Sequence, residues 1–162
     1  MRLNSLPRKL EPEIMDDPAL DAERHHGALR GLERINRWSG SLRLIWPAIH
    51  ALCRGCPDRT INVIDLATGG GDIPLGIHLR AQRLGLKLRV RGCDYSTRAV
   101  EFARQRASEA GAGDSLEYFK FDALKDSMPV DGDVLLSSLF LHHLTADHAE
   151  TLLRRMARSA RQ

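Results

Sequence analysis

Three aspartates end apolar runs along this chain, and their spacing is that of a site. Asp65 ends Val63-Ile64-Asp65, Asp94 ends Leu88-Arg89-Val90-Arg91-Gly92-Cys93-Asp94, and Asp122 ends Leu116-Glu117-Tyr118-Phe119-Lys120-Phe121-Asp122. Between the first two lies Gly69-Gly70-Gly71, followed by a helix start at Asp72-Ile73-Pro74. Glycines let a backbone turn tightly and come close to a ligand, and the helix N-terminus behind them offers unpaired N–H groups. At the carboxyl end of a β-strand these are the parts of a nucleotide-cofactor loop. Asp94 comes roughly 20 residues beyond the loop, the spacing at which a carboxylate meets ribose hydroxyls. A carboxylate there accepts from two hydroxyls at once. Tyr95 follows and offers a ring to an adenine face. His142-His143 come after a fourth apolar run, where an imidazole can take a proton from a phenol or enol nucleophile. The alternative for these histidines is packing or hydrogen bonding near a helix start.

The loop itself separates two cofactor classes. A dinucleotide site uses G-x-G-x-x-G/A, but here Pro74 falls where the third small residue belongs. Asp65 also has no role in gripping a pyrophosphate. A ligand without phosphate, carrying a cationic amino group and a sulfonium, suits a carboxylate-plus-glycine turn better, and S-adenosylmethionine is that ligand. The run Asp65-Leu66-Ala67-Thr68-Gly69-Gly70-Gly71-Asp72 resembles the first motif of the class I S-adenosylmethionine-dependent methyltransferases, D-x-G-x-G-x-G, with Ala67 at the first small position. Its D-L-A-x-G-x-G-D form is most similar to the subgroup acting on quinones, polyketides and related small molecules.

The resemblance runs from Ile61 to Gln162 and carries definite implications. The fold is α/β and Rossmann-like, a parallel sheet with helices on both faces. Asp65, Ala67, Gly69 and Gly71 would hold the methionine end, Asp94 the ribose with Tyr95 beside it, and Asp122 with Ala123 the adenine. Ser138 would border the methyl group, with His143 and His142 as the candidates for proton transfer. The reaction implied is methyl transfer to an oxygen or carbon of a small aromatic, polyketide or quinone-like acceptor, leaving S-adenosylhomocysteine.

The elements around the site are legible in outline. Ser96 caps a helix with Ala99, Ala103, Ala107 and Ala110 at helical spacing, closed by Gly111 and Gly113. A third strand is predicted over Leu116 to Ala123, and a fourth, fully buried, over Asp133 to Ser138. Thr145 caps a last helix with Asp147 and Glu150 near its start and Leu152, Leu153 and Met156 on its apolar side. The first third is helical. Asp21 can cap a helix running toward Gly40, with Ala28, Leu29, Leu32, Ile35 and Trp38 apolar, and a second helix covers Leu42 to Leu52 with Ile45, Trp46 and Ile49 inward. Gly55, Pro57 and Asp58 then break the chain. Residues 1–58 are therefore expected to form a helical N-terminal cap, and residues 59–162 a cofactor-binding core of about four strands. Arg34, Asn36 and Arg37 face either the pocket or solvent.

Composition bounds the rest. A chain of 162 residues forms one domain with a sizeable core. No apolar run is long enough for a membrane span, no signal-peptide core is present, and three cysteines suit a reducing compartment, so a cytoplasmic location is expected. The net charge of +3 comes from arginines scattered over helices, without a basic run interleaved with aromatics, which argues against nucleic acid. The group Arg154, Arg155, Arg158 and Arg161 suits a helix C-terminus. His50-x-x-Cys53-x-x-Cys56 lacks a second Cys-x-x-Cys pair, so no metal is expected. Cys93 reads as a small buried hydrophobe.

The resembled family has a seven-stranded sheet in which a fifth strand pairs beside the fourth, whereas four strands are counted here, so the last strands of the fold are expected to be absent. An apolar fourth strand would then be an edge, a feature natural proteins cover. A truncated chain, or a homodimer or partner chain lying over that edge, is the corresponding expectation. The alternative function is a catalytically incomplete S-adenosylmethionine-binding or assembly module. A nicotinamide oxidoreductase is disfavoured by Pro74.

Overall fold

The computed structural model describes residues 22–129 and 131–160. Four parallel strands form one sheet: β1 (Ile61–Leu66), β2 (Leu88–Asp94), β3 (Leu116–Lys120) and β4 (Val134–Leu136), in the spatial order β3-β2-β1-β4. The helices are α1 (Ala22–Ser39), α2 (Ser41–Gly55), α3 (Asp72–Arg83), α4 (Thr97–Glu109) and α5 (Ala146–Ser159), with a 3₁₀ turn over Leu141–His143. The alternation of strand and helix gives the parallel sheet, because parallel neighbours need a crossover. The chain moves from β1 to β2 to β3 in one direction and then returns past β1 to β4. Since crossovers share one hand, α3 and α4 lie on one face, whereas α5, which follows β4, packs on the other. The carboxyl ends of β1 and β4 flank the point where the order reverses, where open α/β sheets bind ligands.

Each face has its own core. Val63, Val90, Leu116 and Tyr118 pack with Ile73 and Ile77 of α3, Val100, Ala103 and Ala107 of α4, and Ile49 and Cys53 of α2. On the other face Ile64, Leu66 and Cys93 meet Leu152 of α5, with Phe121, Ala123, Met128 and Leu144. A third, smaller cluster docks α1 onto α4: Leu29 sits against Ala99 and Phe102. Gly40, at φ 72°, turns α1 into α2 in the left-handed region that glycine adopts without penalty. No helix among the described residues is long and apolar enough to cross a membrane.

The structure departs from the expected elements at several places. The third strand ends at Lys120 rather than continuing to Ala123. Phe121 N–H makes a last bond to Asp94 O (2.9 Å), and Asp122 then folds the chain into a turn. Its Oδ1 accepts from Leu124 N (2.9 Å) and Lys125 N (3.2 Å), the local bonding with which aspartate competes against a strand ladder. The fourth strand is Val134–Leu136, shorter than Asp133 to Ser138, and half-buried because, among the described residues, only β1 pairs with it. Ile35 and Trp38 are 52% and 92% exposed, so of the apolar side of α1 Leu29 is the buried anchor. Ala110 and Leu153 are likewise exposed, since α4 and α5 turn those positions away from the sheet. The caps predicted at Ser96 and Thr145 are formed, accepting from Ala99 N (3.3 Å) and His148 N (3.2 Å). Asp21 and Arg161, and the side chains of Leu32, Asn36, Arg37, His25 and His26, lie outside what is described.

Candidate functional site

A cavity of about 670 Å³ opens at the carboxyl ends of the strands. Its floor is the β1–α3 loop, where Ala67 (φ 54°), Gly69 (φ 53°) and Gly71 (φ 72°) all take left-handed backbone. An L-residue such as Ala67 bears about 1–2 kcal/mol of strain in that region, so surrounding bonds must hold the loop. They do. Thr68 N–H donates to Cys93 O (2.9 Å), Gly71 N–H to Thr68 O (3.0 Å), and the Thr68 hydroxyl to Asp65 Oδ2 (2.7 Å).

Asp65 lies beneath this loop, 2% exposed, and does not line the cavity. Its Oδ1 has no hydrogen-bond partner among the described residues. Burial pushes its carboxyl well above the usual carboxylate range; the Thr68 bond opposes this, while Asp72 and Asp94 add to it. Asp94 stands at the cavity wall, with Oδ2 accepting from Gly69 N (2.8 Å) and Oδ1 from Ser96 N (2.9 Å). One carboxylate thus joins the end of β2 to the glycine loop and to the start of α4. The next residue, Tyr95, lines the cavity with its ring largely exposed and the Lys120 ammonium 5.8 Å from the ring centroid.

Asp122 and Ala123 line the cavity from the turn after β3. That turn is pinned from α5: the Arg155 guanidinium donates to Ala123 O (2.8 Å), to Leu124 O (2.7 Å) and to Asp126 O. The sequence placed Arg155 at a helix C-terminus for its dipole, but its guanidinium instead serves the carbonyls of a neighbouring loop. Beyond β4, Ser138, Leu139, Phe140 and His143 form the opposite wall, and Leu29 of α1 also lines the cavity. Leu139 takes φ 54°, and the Ser137 hydroxyl donates to Leu66 O (3.0 Å), tying this wall to β1. His142 is exposed and outside the lining, its ring centroid 4.1 Å from that of His143.

Of the residues singled out by sequence, the structure brings Ala67, Gly69, Asp94, Tyr95, Asp122, Ala123, Ser138 and His143 to one cavity. Asp65 and Gly71 stand behind its wall and His142 beside it. Arg34 lines a separate shallow recess with Ile35 and Trp38. Not evident from the sequence were Thr68, Leu29 and Phe140 in the lining, and Tyr118, Arg106 and Arg155 behind it. For Thr68 a signal existed, its place inside the loop motif. For Tyr118, Arg106 and Arg155 there was none, because their bonds span 29 or more positions of chain. Among the described residues no group of three or more His, Cys, Asp or Glu is placed to hold a metal ion. His50 instead stacks on Trp46, and Cys53, Cys56 and Cys93 are free thiols.

Comparison with known proteins matches this geometry to a family. The sequence profile of the methyltransferase domain matches residues 63–162. No curated protein matched the chain. Among solved structures, the S-adenosylmethionine-dependent methyltransferase SibL in its apo form is 24% identical with a TM-score of 0.66, covering 90% of this chain and 38% of its own. The mitomycin 7-O-methyltransferase is 24% identical with a TM-score of 0.55, covering 63% of this chain and 28% of its own. An O-methyltransferase from neocarzinostatin biosynthesis, solved with S-adenosyl-L-homocysteine, is 20% identical with a TM-score of 0.54, covering 61% and 31%. The chain thus spans less than two fifths of the length of these three proteins. With a parallel sheet in the order β3-β2-β1-β4 and a glycine loop at its switch point, the chain belongs to the class I S-adenosylmethionine-dependent methyltransferase family.

Proposed function

We propose that this domain binds S-adenosylmethionine in the strand-end cavity and transfers its methyl group to an oxygen or carbon of a small aromatic, polyketide or quinone-like acceptor. The observation that carries the proposal is Asp94, a carboxylate fixed by two backbone N–H bonds beside a glycine floor. That donor set fits an adenosine with a cationic tail. The acidic wall offers acceptors to ribose, the Gly69-Gly70 floor leaves room for a chain to pass, and Tyr95, Phe121 and Ala123 supply apolar surface for a base. In this reading α1 and α2 act as a cap over the 59–162 core, with Leu29 the contact that supports it.

The cofactor supplies a methyl group on a sulfonium, already a strong electrophile. The protein's part is to line up the acceptor and receive its proton. In-line positioning supplies up to about 7–11 kcal/mol in ideal cases. His143 stands in the wall beyond β4 beside Phe140, their ring centroids 6.1 Å apart. Its imidazole is the group available there to take the acceptor's proton as the new bond to carbon forms. The apolar neighbours Leu139, Phe140 and Leu144 favour an aromatic acceptor, and the O-methyltransferase neighbours from natural-product biosynthesis support that class.

A second reading, a cofactor-binding module without turnover, is favoured by one observation: the acceptor wall rests on a strand of three residues, half-buried and paired on one side. Calorimetric titration with S-adenosylhomocysteine tests the shared step. Saturable binding by the wild type, lost in Asp94→Ala with the fold retained by circular dichroism, is expected. A folded wild-type chain that binds nothing overturns the proposal, and binding without methyl transfer to a panel of phenols and quinols selects the second reading.

A further inference from the structure

The sheet register sets Asp65, Gly92 and Tyr118 side by side on β1, β2 and β3. Gly92 leaves the middle of this row empty, and the Tyr118 ring occupies it. A Cβ on Gly92 would fall 2.7 Å from Tyr118 Cε1, and one on Gly71 2.8 Å from the same atom. The ring therefore passes over Gly92 to reach the cofactor loop, where the buried Tyr118 hydroxyl donates to Gly71 O (2.9 Å). From α4, Arg106 donates to Gly70 O (3.0 Å), its guanidinium 5.9 Å from the Phe102 ring centroid. From β2, Asp94 takes the Gly69 N–H (2.8 Å). Three successive glycines are thus each held by a side chain from a different element. Arg104 in turn fixes the strand behind the ring, its Nε donating to Tyr118 O (3.0 Å).

We propose that Tyr118, with Arg106, is a positioning residue for S-adenosylmethionine, holding the Gly69–Gly71 loop in its binding conformation before the cofactor arrives. This rests on the methyltransferase reading given above. Neither the Tyr118 ring nor the Arg106 guanidinium lines the cavity, so both act through the loop backbone and neither is a catalytic residue. A run of glycines has more conformational freedom to lose than any other sequence, and two of these three sit at positive φ. A loop ordered in advance spares the ligand that entropy, which raises affinity without a new contact. Burial pushes the Tyr118 phenol above its ordinary range, so it remains a hydrogen-bond donor across physiological pH.

The experiment compares wild type with Tyr118→Phe and Arg106→Gln by calorimetric titration with S-adenosylhomocysteine and by hydrogen exchange of the unliganded chains. Tyr118→Phe keeps the ring and removes one hydrogen bond, so affinity is expected to fall about 5- to 10-fold, the factor that corresponds to a single buried hydrogen bond. Exchange at the amides of Gly70, Gly71 and Asp72 is expected to quicken while that of β1 and β2 stays at the wild-type rate. In turnover, KM for the cofactor rises more than kcat falls. Affinity and loop exchange both within about twofold of wild type would overturn the inference, as would uniform quickening across the sheet, which marks a purely structural role. If Tyr118→Phe does not fold, Arg106→Gln makes the same measurement through the Gly70 carbonyl from a half-buried position. If wild type binds no S-adenosylhomocysteine, the methyltransferase reading falls, and loop exchange alone decides whether the clamp exists.

Discussion

Burial pushes the Asp65 carboxyl upward, and the negative charges of Asp72 and Asp94 push it further, so the folded chain holds that proton more tightly than the unfolded chain does. A group of this kind adds stability below its unfolded pKa, near 3.9, and that stability is lost as pH climbs through the raised folded value. At pH 7, far above the unfolded value, folding must either hold that proton against solution or bury a charge, and both weigh against the fold. Asp65→Asn keeps an acceptor for the Thr68 hydroxyl and replaces the unpartnered Oδ1 by a neutral amide, which costs less to bury than a charge. Its melting temperature is expected to exceed that of wild type at pH 7, with the advantage shrinking toward pH 4. Thermal denaturation across that range measures it, and a variant less stable at every pH would show that the carboxylate is stabilising. His143→Gln is expected to lower kcat by about 10²–10⁴-fold, the range for a general base, while leaving the S-adenosylhomocysteine affinity within a few-fold. Equal loss of both would make the imidazole a binding group. The sequence disclosed both residues because each lies at the end of an apolar run. It did not disclose that Asp65 faces under the loop and His143 into the cavity, since chain position does not fix a side chain's direction around a turn.

At the scale of elements, legibility followed the range of the interactions. The caps at Ser96 and Thr145 use bonds that close within three residues, and both were readable. β2 was readable over its full length because apolar alternation and a terminal acid bound it. The end of β3 was not, because Phe121, Asp122 and Ala123 continue the apolar pattern while the Asp122 side chain folds the backbone away. The pairing of Gly92 with Tyr118 was equally hidden, since register is decided between strands. Arg155 offers a test of such a long-range tie. Its guanidinium satisfies three carbonyls of the turn that carries Asp122 and Ala123. Arg155→Gln leaves those carbonyls to water and frees the turn. The expected outcome is a global destabilisation of about 1–3 kcal/mol, as for the loss of charged hydrogen bonds. S-adenosylhomocysteine affinity should fall with it, whereas Arg154→Gln, which breaks an exposed pair with Glu150, should change neither. Identical behaviour of the two variants would remove Arg155 from the site's support.

For the whole molecule, the cavity matters because it gathers parts that are otherwise separate. Its walls come from the β1–α3 loop, the ends of β2 and β3, the segment after β4, and Leu29 of α1. The two cores on either face of the sheet share no helix, and α1 meets α4 through the small cluster of Leu29, Ala99 and Phe102. A ligand bound at this junction makes contacts that no single element can make alone, so its binding energy should appear as protection in all of them together. At 100 times its Kd, a ligand specific for the folded state adds about 2.7 kcal/mol, and each kcal/mol raises the melting temperature of a chain this size by about 2–4 °C. S-adenosylhomocysteine at that excess is therefore expected to raise the melting point by roughly 5–11 °C. Hydrogen exchange should slow at Thr68–Asp72, at Asp94–Ala99, in the 120–125 turn and around Leu29. The α1 signal is the discriminating one. Slowed exchange there means the N-terminal helices close on the cofactor as a cap. Protection confined to the strand ends, with α1 unchanged, would mean that Leu29 packs on α4 without covering the ligand, and that the acceptor approaches over an open cavity.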